Sequence, residues 1–304
     1  MKNKSNSRVL VEVVGGLGNQ LFCYAAGAYL AKKAGTKLVL DISKVGVGAV
    51  DHGKTILNFQ LDCQLIEYQN AMTKRFRFFR RVSNKLASLS DAYRKLRDLV
   101  ERRYTARSLG YEAEFANLKQ ARRISGYFQS YIYADFVQDE LKKSLILKST
   151  SQWFKESEEL IKRENPVVIH IRRGDYLAAK DDFGVLAIDY YEEAVSILSD
   201  KETSRSVWIF TDSPELIRKE IANSRLQNAV IVTPPSESNP NESMILMSRA
   251  SDLVISNSTY SWWSAYLSSG NSHIVAPKKW FRQREDPALL LPDHWVKITS
   301  RWAD

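Results

Sequence analysis

Cysteine is almost absent from this 304-residue chain, which has only Cys23 and Cys63. Two residues cannot build a disulfide framework and they lack metal-type spacing, so both are expected to be reduced and structural. Histidine is equally scarce, and His52, His170, His273 and His294 are scattered without a zinc pattern. No apolar run approaches about 20 residues, which excludes a membrane-spanning helix. The polar start Met1-Lys-Asn-Lys-Ser-Asn-Ser-Arg8 lacks the apolar core of a signal peptide, so the expected location is the cytoplasm. Internal repeats and low-complexity tracts are also missing. What remains is a chain long enough for two domains, with an ordinary 44% hydrophobic content and a net charge of +9.

That charge sits in one place. Between Lys74 and Arg107 there are twelve Lys/Arg against three acids, so this segment carries the whole excess and the rest of the chain is balanced. Within it Phe79, Val82, Leu86, Leu89, Tyr93, Leu96 and Val100 recur at alternating spacings of three and four, which predicts a long amphipathic helix or helix pair. One reading is a helix packed on its own domain with a solvated basic face. The other is docking to an anionic membrane surface, where each basic residue contributes on the order of 1 kcal/mol. No RNP, zinc or helix-turn-helix pattern accompanies the charge, so nucleic acid is not an expected partner.

Periodicity divides the chain into two α/β halves, expected at 1–150 and 151–304. In the first, Val9 to Val14 reads as a strand, Gly15-Gly-Leu-Gly-Asn-Gln20 as a tight turn, Leu21 to Ala34 as a helix stopped by Gly35, and Thr36 to Asp41 as the next strand. A glycine-rich turn at a helix start offers backbone N–H groups to anionic or hydroxyl ligands. It is neither a Walker loop nor a full dinucleotide fingerprint, because Leu21 stands where the last glycine belongs. In the second half, strands are expected at Val167 to Ile171, Val207 to Thr211, Val230 to Thr233, Leu253 to Ser256 and Ile274 to Ala276. Helices are expected between them, at Tyr190 to Leu198, Pro214 to Asn223, Ser243 to Ser248 and Trp262 to Leu267. Such alternation implies a parallel, doubly wound sheet. The loop Pro234-Pro-Ser-Glu-Ser-Asn-Pro240 is a candidate lid.

The strand Val167 to Ile171 runs into His170-Ile-Arg172-Arg173-Gly174-Asp175-Tyr176. Alternation puts His170 and Arg172 on one face, and Gly174 predicts a turn at the carboxyl end, where open α/β sheets bind ligands. Two guanidiniums there suit a phosphate or pyrophosphate. The competing reading is a strand-end ion pair between Arg173 and Asp175. Asp212 and the run Asn257-Ser258-Thr259-Tyr260-Ser261 also fall at strand ends and are expected to line the same crevice.

Four ordered segments resemble the α1,2-fucosyltransferases (glycosyltransferase family 11), particularly the soluble bacterial enzymes: Gly15-Gly-Leu-Gly-Asn-Gln-Leu-Phe22, Gly126-Tyr-Phe-Gln-Ser130, His170-Ile-Arg-Arg-Gly-Asp-Tyr176 and Ile255-Ser-Asn-Ser-Thr-Tyr-Ser-Trp-Trp263. Ala276-Pro-Lys-Lys-Trp-Phe281 extends the match, and only the basic segment falls outside it. The resemblance implies a GT-B-like fold, with two Rossmann-like domains facing a cleft, the first on the acceptor side and the second binding the GDP-sugar. It implies metal-independent, inverting transfer of L-fucose from GDP-L-fucose to the 2-hydroxyl of a galactose residue.

Carried onto this sequence, the resemblance gives Arg172 the β-phosphate, with Arg173 assisting or bracing the loop. Ser258, Thr259 and Ser261, with Asn257, meet the pyrophosphate at a helix start. Asp212 is directed at the guanine N–H groups with His170 near the base. Asn19, on the turn built by Gly16 and Gly18, contacts the sugar or phosphate. Asp175 is the candidate base for the acceptor hydroxyl, with a structural role as the alternative. Glu242-Ser243 stands where relatives carry Glu-Asp. Trp262 and Trp263 are read as core, and Tyr127, Phe128 and Tyr131 as acceptor-site candidates. The alternatives are another GDP-deoxyhexose donor, or a non-catalytic sugar-nucleotide or glycan-binding protein. A cytoplasmic enzyme with this chemistry would meet a galactose-terminated, lipid-linked oligosaccharide at the inner membrane, and the basic segment would supply the contact.

Overall fold

The computed structural model describes residues 8–46, 53–67, 102–118, 123–198 and 205–303. The expected basic helix therefore lies almost wholly outside the described residues. Its last stretch differs from the prediction, because Arg103–Thr105 is an edge strand rather than helix.

Two compact units are present. One holds residues 1–57 and 61–145, the other 58–60 and 146–304, so the division falls at 145/146 and three residues of the first half belong with the second unit.

In the first unit β1 (Arg8–Glu12), β2 (Lys37–Asp41), β3 (Gln64–Ile66), β4 (Arg103–Thr105) and β5 (Arg123–Ser125) form a sheet in the order β3-β2-β1-β5-β4. Every pairing is parallel, with Glu12 opposite both Asp41 and Ser125. Helix α1 (Leu17–Ala34) follows β1 and is buried along most of its length. A Cβ at Gly27 would overlap the side chains of Val11 and Leu38, so glycine here lets the helix lie close on the sheet. Gly35 closes α1 in the left-handed conformation, with its N–H on the last-turn carbonyls, as the sequence predicts. The start of α1 differs from the prediction. Helix begins at Leu17 instead of Leu21, so Gly18 and Asn19 sit in its first turn and only Gly15 and Gly16 make the bend.

In the second unit α5 (Gln152–Glu164) leads into β6 (Val167–Ile171), followed by α6 (Lys180–Phe183), α7 (Ile188–Leu198), β7 (Val207–Thr211), α8 (Pro214–Ile221), β8 (Val230–Val232), α9 (Pro240–Met247), β9 (Asp252–Val254), α10 (Thr259–Tyr266), β10 (His273–Pro277) and β11 (Val296–Ile298). Three short helices of the first unit complete the numbering: α2 (Ala113–Ala116), α3 (Tyr131–Phe136) and α4 (Gln138–Ser144). The second sheet runs β11-β10-β9-β6-β7-β8, all parallel. Val167, Ile169 and Ile171 pack on Tyr190, Tyr191, Ile217 and Ile221 of α7 and α8, which leaves His170 and Arg172 to the opposite face.

Strand order reverses direction once in each sheet, between β1 and β5 in the first and between β6 and β9 in the second. Those are the switch points at which open parallel sheets form crevices beyond the carboxyl ends of the strands. The four sequence motifs fall there in pairs. Gly15–Phe22 follows β1 and Gly126–Ser130 follows β5, while His170–Tyr176 ends β6 and Ile255–Trp263 follows β9.

The segment 58–60 is tied to the second unit by main chain. Phe59 bridges Leu147 in antiparallel sense, Gln60 N–H donates to Ile146 O at 2.9 Å, and Lys148 N–H to Asn58 O at 2.9 Å. The Asn58 amide also donates to Asn239 Oδ1 at 2.8 Å, and the same oxygen caps α9.

Candidate functional site: two switch-point crevices

In the second unit Arg172 leaves β6 at the switch point and is held between two carboxylates. Its Nε and Nη2 donate to Asp175 Oδ1 at 3.1 and 2.6 Å, and Nη1 lies 2.9 Å from Asp212 Oδ2. Its guanidinium stands 5.8 Å from the Tyr176 ring centroid. Burial opposes the charge, but Asp212 and Asp175 outweigh it and hold the guanidinium above its ordinary pKa. These contacts engage all three nitrogens but no more than three of the five N–H groups, and leave the remaining N–H groups for a further acceptor.

Asp212 also fixes the turn. Its Oδ1 accepts the Arg173 N–H at 3.0 Å, and Gly174 N–H reaches Ser213 Oγ at 3.3 Å. A Cβ at Gly174 would overlap the Asp212 carboxylate, so the Arg-Arg-Gly sequence closes onto β7 only with glycine at its third position. A short 3₁₀ stretch then runs from Gly174 to Ala179.

Arg173 takes a different place from the one expected of a second phosphate ligand. Only 1% exposed, it turns to the back of the sheet and donates to Glu220 of α8 from Nε at 3.1 Å and Nη2 at 2.7 Å. Its Nη1 donates to Arg172 O at 3.1 Å. The strand-end ion pair foreseen between Arg173 and Asp175 is therefore replaced by two pairs, Arg172 with Asp175 and Arg173 with Glu220. Alternation explains it: the second arginine continues the period of the strand before the turn takes hold.

His170 is buried behind the crevice, with its ring 5.4 Å from that of Tyr260. Burial, with a smaller push from the Arg172 charge, drives its pKa down to about 3, so it is neutral. Nδ1 pairs with Ser256 Oγ at 3.0 Å, which pairs with Ser261 Oγ at 3.1 Å. Ser261 is fully buried and donates its proton back to the carbonyls of Ser256 and Ser258. Its hydroxyl thus supports the loop from inside and does not face the crevice.

Asn257 is occupied too. Its amide donates to the carbonyls of Phe183, Gly184 and Trp280 at 3.0–3.1 Å, stapling the end of α6 beside the crevice. At the start of α10, Ser258 is the N-cap, accepting from Tyr260 N–H at 3.3 Å, and Thr259 is half-buried. Of the four hydroxyl and amide groups foreseen for the pyrophosphate, Ser258 and Thr259 are the two at the helix mouth.

Glu242, 1% exposed, accepts from Ser151 N–H at 2.6 Å and Ser151 Oγ at 2.7 Å. Since Ser151 is the N-cap of α5, this carboxylate joins two helices. The proposed lid ends firmly, because Tyr260 Oη donates to Pro240 O at 2.8 Å. Trp262 and Trp263 are wholly buried, as read from sequence. Phe128 is core as well, 4.8 Å from the Phe115 ring, whereas Tyr127 is 39% exposed.

In the first unit, Gly16 is the N-cap of α1 and Asn19 faces the Gly126–Ser130 segment. Gln129 Nε2 donates to Asn19 Oδ1 at 2.9 Å. Glu220, Ser256 and Gln129 were not singled out from sequence. Each is partnered by a residue 47 or more positions away, and no local period marks that. Gln129 lay inside a quoted motif, where a polar residue between an aromatic pair and a serine was the available signal.

Among the described residues, no group of three or more His, Cys, Asp or Glu side chains is placed to hold a metal ion. None of their helices is long and apolar enough to cross a membrane.

The sequence pattern of the family described as Glycosyl transferase family 11 matches residues 8–298. The chain belongs to that family. This family-11 chain is 29% identical over 307 residues to the O-antigen biosynthesis glycosyltransferase WbnK of Escherichia coli, across 93% of this chain and 98% of that one. It is 28% identical over 304 residues to an α-1,2-colitosyltransferase of Escherichia coli, across 96% and 99%. The crystal structure of fucosyltransferase NodZ from Bradyrhizobium aligns over 86% of this chain and 93% of that chain, at 14% identity and a TM-score of 0.47.

Proposed function

We propose that this family-11 glycosyltransferase moves L-fucose from GDP-L-fucose, with inversion, to the 2-hydroxyl of a galactose residue in an O-antigen-like oligosaccharide. The observation that carries the reading is Arg172, held at the switch point by Asp175 and Asp212 with part of its donor fork unoccupied. Support comes from the two Escherichia coli relatives, whose names give O-antigen biosynthesis and α-1,2 transfer, both matched nearly end to end.

In this reading the bond from the sugar to GDP breaks with an oxocarbenium-like transition state, and the departing β-phosphate gains negative charge. Arg172 meets that charge as it develops, with the Ser258 hydroxyl and Thr259 at the start of α10 on the same leaving group. Arg173 does not touch the nucleotide; it keeps the turn in place through Glu220. Asp175 is committed to Arg172, so its role is to orient the guanidinium; as the 2-hydroxyl oxygen bonds to C1 of the sugar, its proton passes to the departing GDP or to water. The charge on GDP is met by these groups rather than by a divalent ion.

The acceptor is a lipid-linked oligosaccharide at the cytoplasmic face of the inner membrane, with the basic segment 74–107 as the contact. Binding to anionic vesicles that weakens as salt rises is the expected result, and indifference to them removes this part. A second reading, favoured by the colitosyltransferase relative, keeps the chemistry and changes the GDP-deoxyhexose.

The deciding experiment is GDP release by purified protein from GDP-L-fucose and other GDP-deoxyhexoses, in EDTA, across β-galactosides that differ in the neighbouring sugar. Acceptor-dependent release identifies the transferase and its donor. GDP-sugar binding with no release on any acceptor returns the non-catalytic binding protein.

A further inference from the structure

The crevice of the first unit contains an unfinished hydrogen-bond pattern. Gln129 is 5% exposed, and its Oε1 is buried without a partner among the described residues. Its Nε2 donates to Asn19 Oδ1 at 2.9 Å, and the half-buried Asn19 side chain makes no other hydrogen bond among the described residues. Two carboxamides joined by one bond have a fixed surplus, an NH₂ edge on one and a carbonyl on the other. Turning both amides over exchanges the donor and leaves the same surplus.

The neighbouring Gln20 shows what a finished amide looks like here. It is fully buried, its Nε2 donates to Gly15 O at 2.8 Å and Gly53 O at 2.9 Å, and its Oε1 accepts the Ile56 N–H at 3.1 Å. Burying an amide acceptor unpaired is costly, which is why such groups are rare and call for a reason. The backbone that delivers Gln129 is strained as well. Phe128 has φ +52° although it carries a Cβ, and Gly126 has φ +151°, conformations that ordinary residues avoid and that collect at ligand sites.

We propose that Asn19 and Gln129 together bind a sugar hydroxyl, which accepts from the surplus NH₂ and donates to the surplus carbonyl. A hydroxyl is the neutral group that does both at once, whereas a phosphate offers acceptors only and leaves the carbonyl unpaired. The pair sits at the switch point of the first sheet, beside the start of α1, where a ligand is received. Both the transferred deoxysugar and the acceptor galactose carry hydroxyls, and the test separates them. The proposal takes from the fucosyl-transfer reading only the choice of sugars to try.

The experiment compares wild type with Gln129→Met and Asn19→Leu, using GDP-fucose with its 2-, 3- and 4-deoxy analogues, and a galactoside acceptor with its monodeoxy analogues. The expected result is a fall in kcat/KM of about 10-fold or more with the fully hydroxylated sugars, and a change within about 2-fold for the one analogue that lacks the bound hydroxyl. An acceptor analogue in that position names the acceptor as the ligand, and the donor analogue names the donor. An equal fall on every substrate, or none, overturns the proposal. If wild type releases no GDP at all, the transfer reading fails separately. The pair is then judged by calorimetric titration of the same sugars and GDP-sugars, where equal affinities for wild type and Gln129→Met overturn it. Thermal melting adds a readout that a packing role would move: Gln129→Met deletes an unpaired buried carbonyl along with one bond, so the ligand-free protein should melt no lower than wild type.

Discussion

At the second switch point a guanidinium stands between two carboxylates; at the first, two neutral carboxamides hold each other. The first unit is not short of charge. Glu12, 3% exposed at the end of β1, is met by Lys44, by Arg103 at 3.1 Å and by Arg123 at 2.8 Å, and Arg123 also reaches Asp41 at 3.1 Å. Burial pushes the Glu12 pKa up, and the three cations outweigh it and hold the carboxyl below its usual range. These charges satisfy one another. What marks a ligand site in either unit is incomplete pairing: open N–H groups on Arg172 in one, a spare donor and acceptor on Asn19 and Gln129 in the other. One set suits an anion and the other a hydroxyl.

The hardest test of this contrast removes the guanidinium. Arg172→Ala should lower kcat for GDP release by on the order of 10²–10³, and Arg172→Lys should recover little, because one ammonium cannot replace a fork already gripping two carboxylates. Near-normal turnover in Arg172→Ala protein would place the anion site elsewhere.

Gly174→Ala attacks the same crevice through its backbone. The added methyl overlaps Asp212, so the turn shifts at a cost of about 1–3 kcal/mol. Weaker GDP binding by titration calorimetry is expected, together with a lower Tm, while the hydroxyl-reading pair in the first unit keeps its substrate preference.

Glu242→Gln separates support from chemistry. It leaves Ser151 N–H or Oγ with a weaker acceptor, and about 1–2 kcal/mol of stability should go, seen as a lower Tm with kcat nearly unchanged. A collapse of kcat at unchanged Tm would move Glu242 into the site.

The last test is a pH dependence. His170 titrates near 6.5 when unfolded and near 3 when folded. The folded state therefore favours the neutral ring. Its contribution to stability is fully present above about pH 6.5 and is lost as pH falls from there toward 3. Melting curves between pH 4 and 8 should show part of the acid loss vanishing in His170→Asn, whose amide keeps a donor toward Ser256. An unchanged pH profile would mean that the ring is solvated.

Much of this was legible in the residues. Val167 to Ile171 is a short β-branched run behind a proline, and it is a strand with those ends. Gly35 stops α1, and the tryptophan pair is core. Other features were hidden for physical reasons. Strands of three residues such as β3, β4 and β5 are too short to show a period. Arg103, which ends up beside Glu12, was swept into the helical spacing of the segment before it. The partner of Arg173 lies 47 positions away on α8, and nothing local in either residue announces the other. The surplus on Gln129 becomes visible only when every neighbouring hydrogen bond has been assigned.

The stitch at residues 58–60 bears on how such a protein is inherited. Phe59 and Leu147 are bridged within the second unit although three strands of the first sheet, β3 to β5, are encoded between them. A single genetic crossover between the halves gives a hybrid whose Asn58–Gln60 comes from one parent and the Leu147 and Asn239 it must join from the other. Second units therefore shuffle cleanly among homologues only as a two-part exchange, or where these few positions already agree.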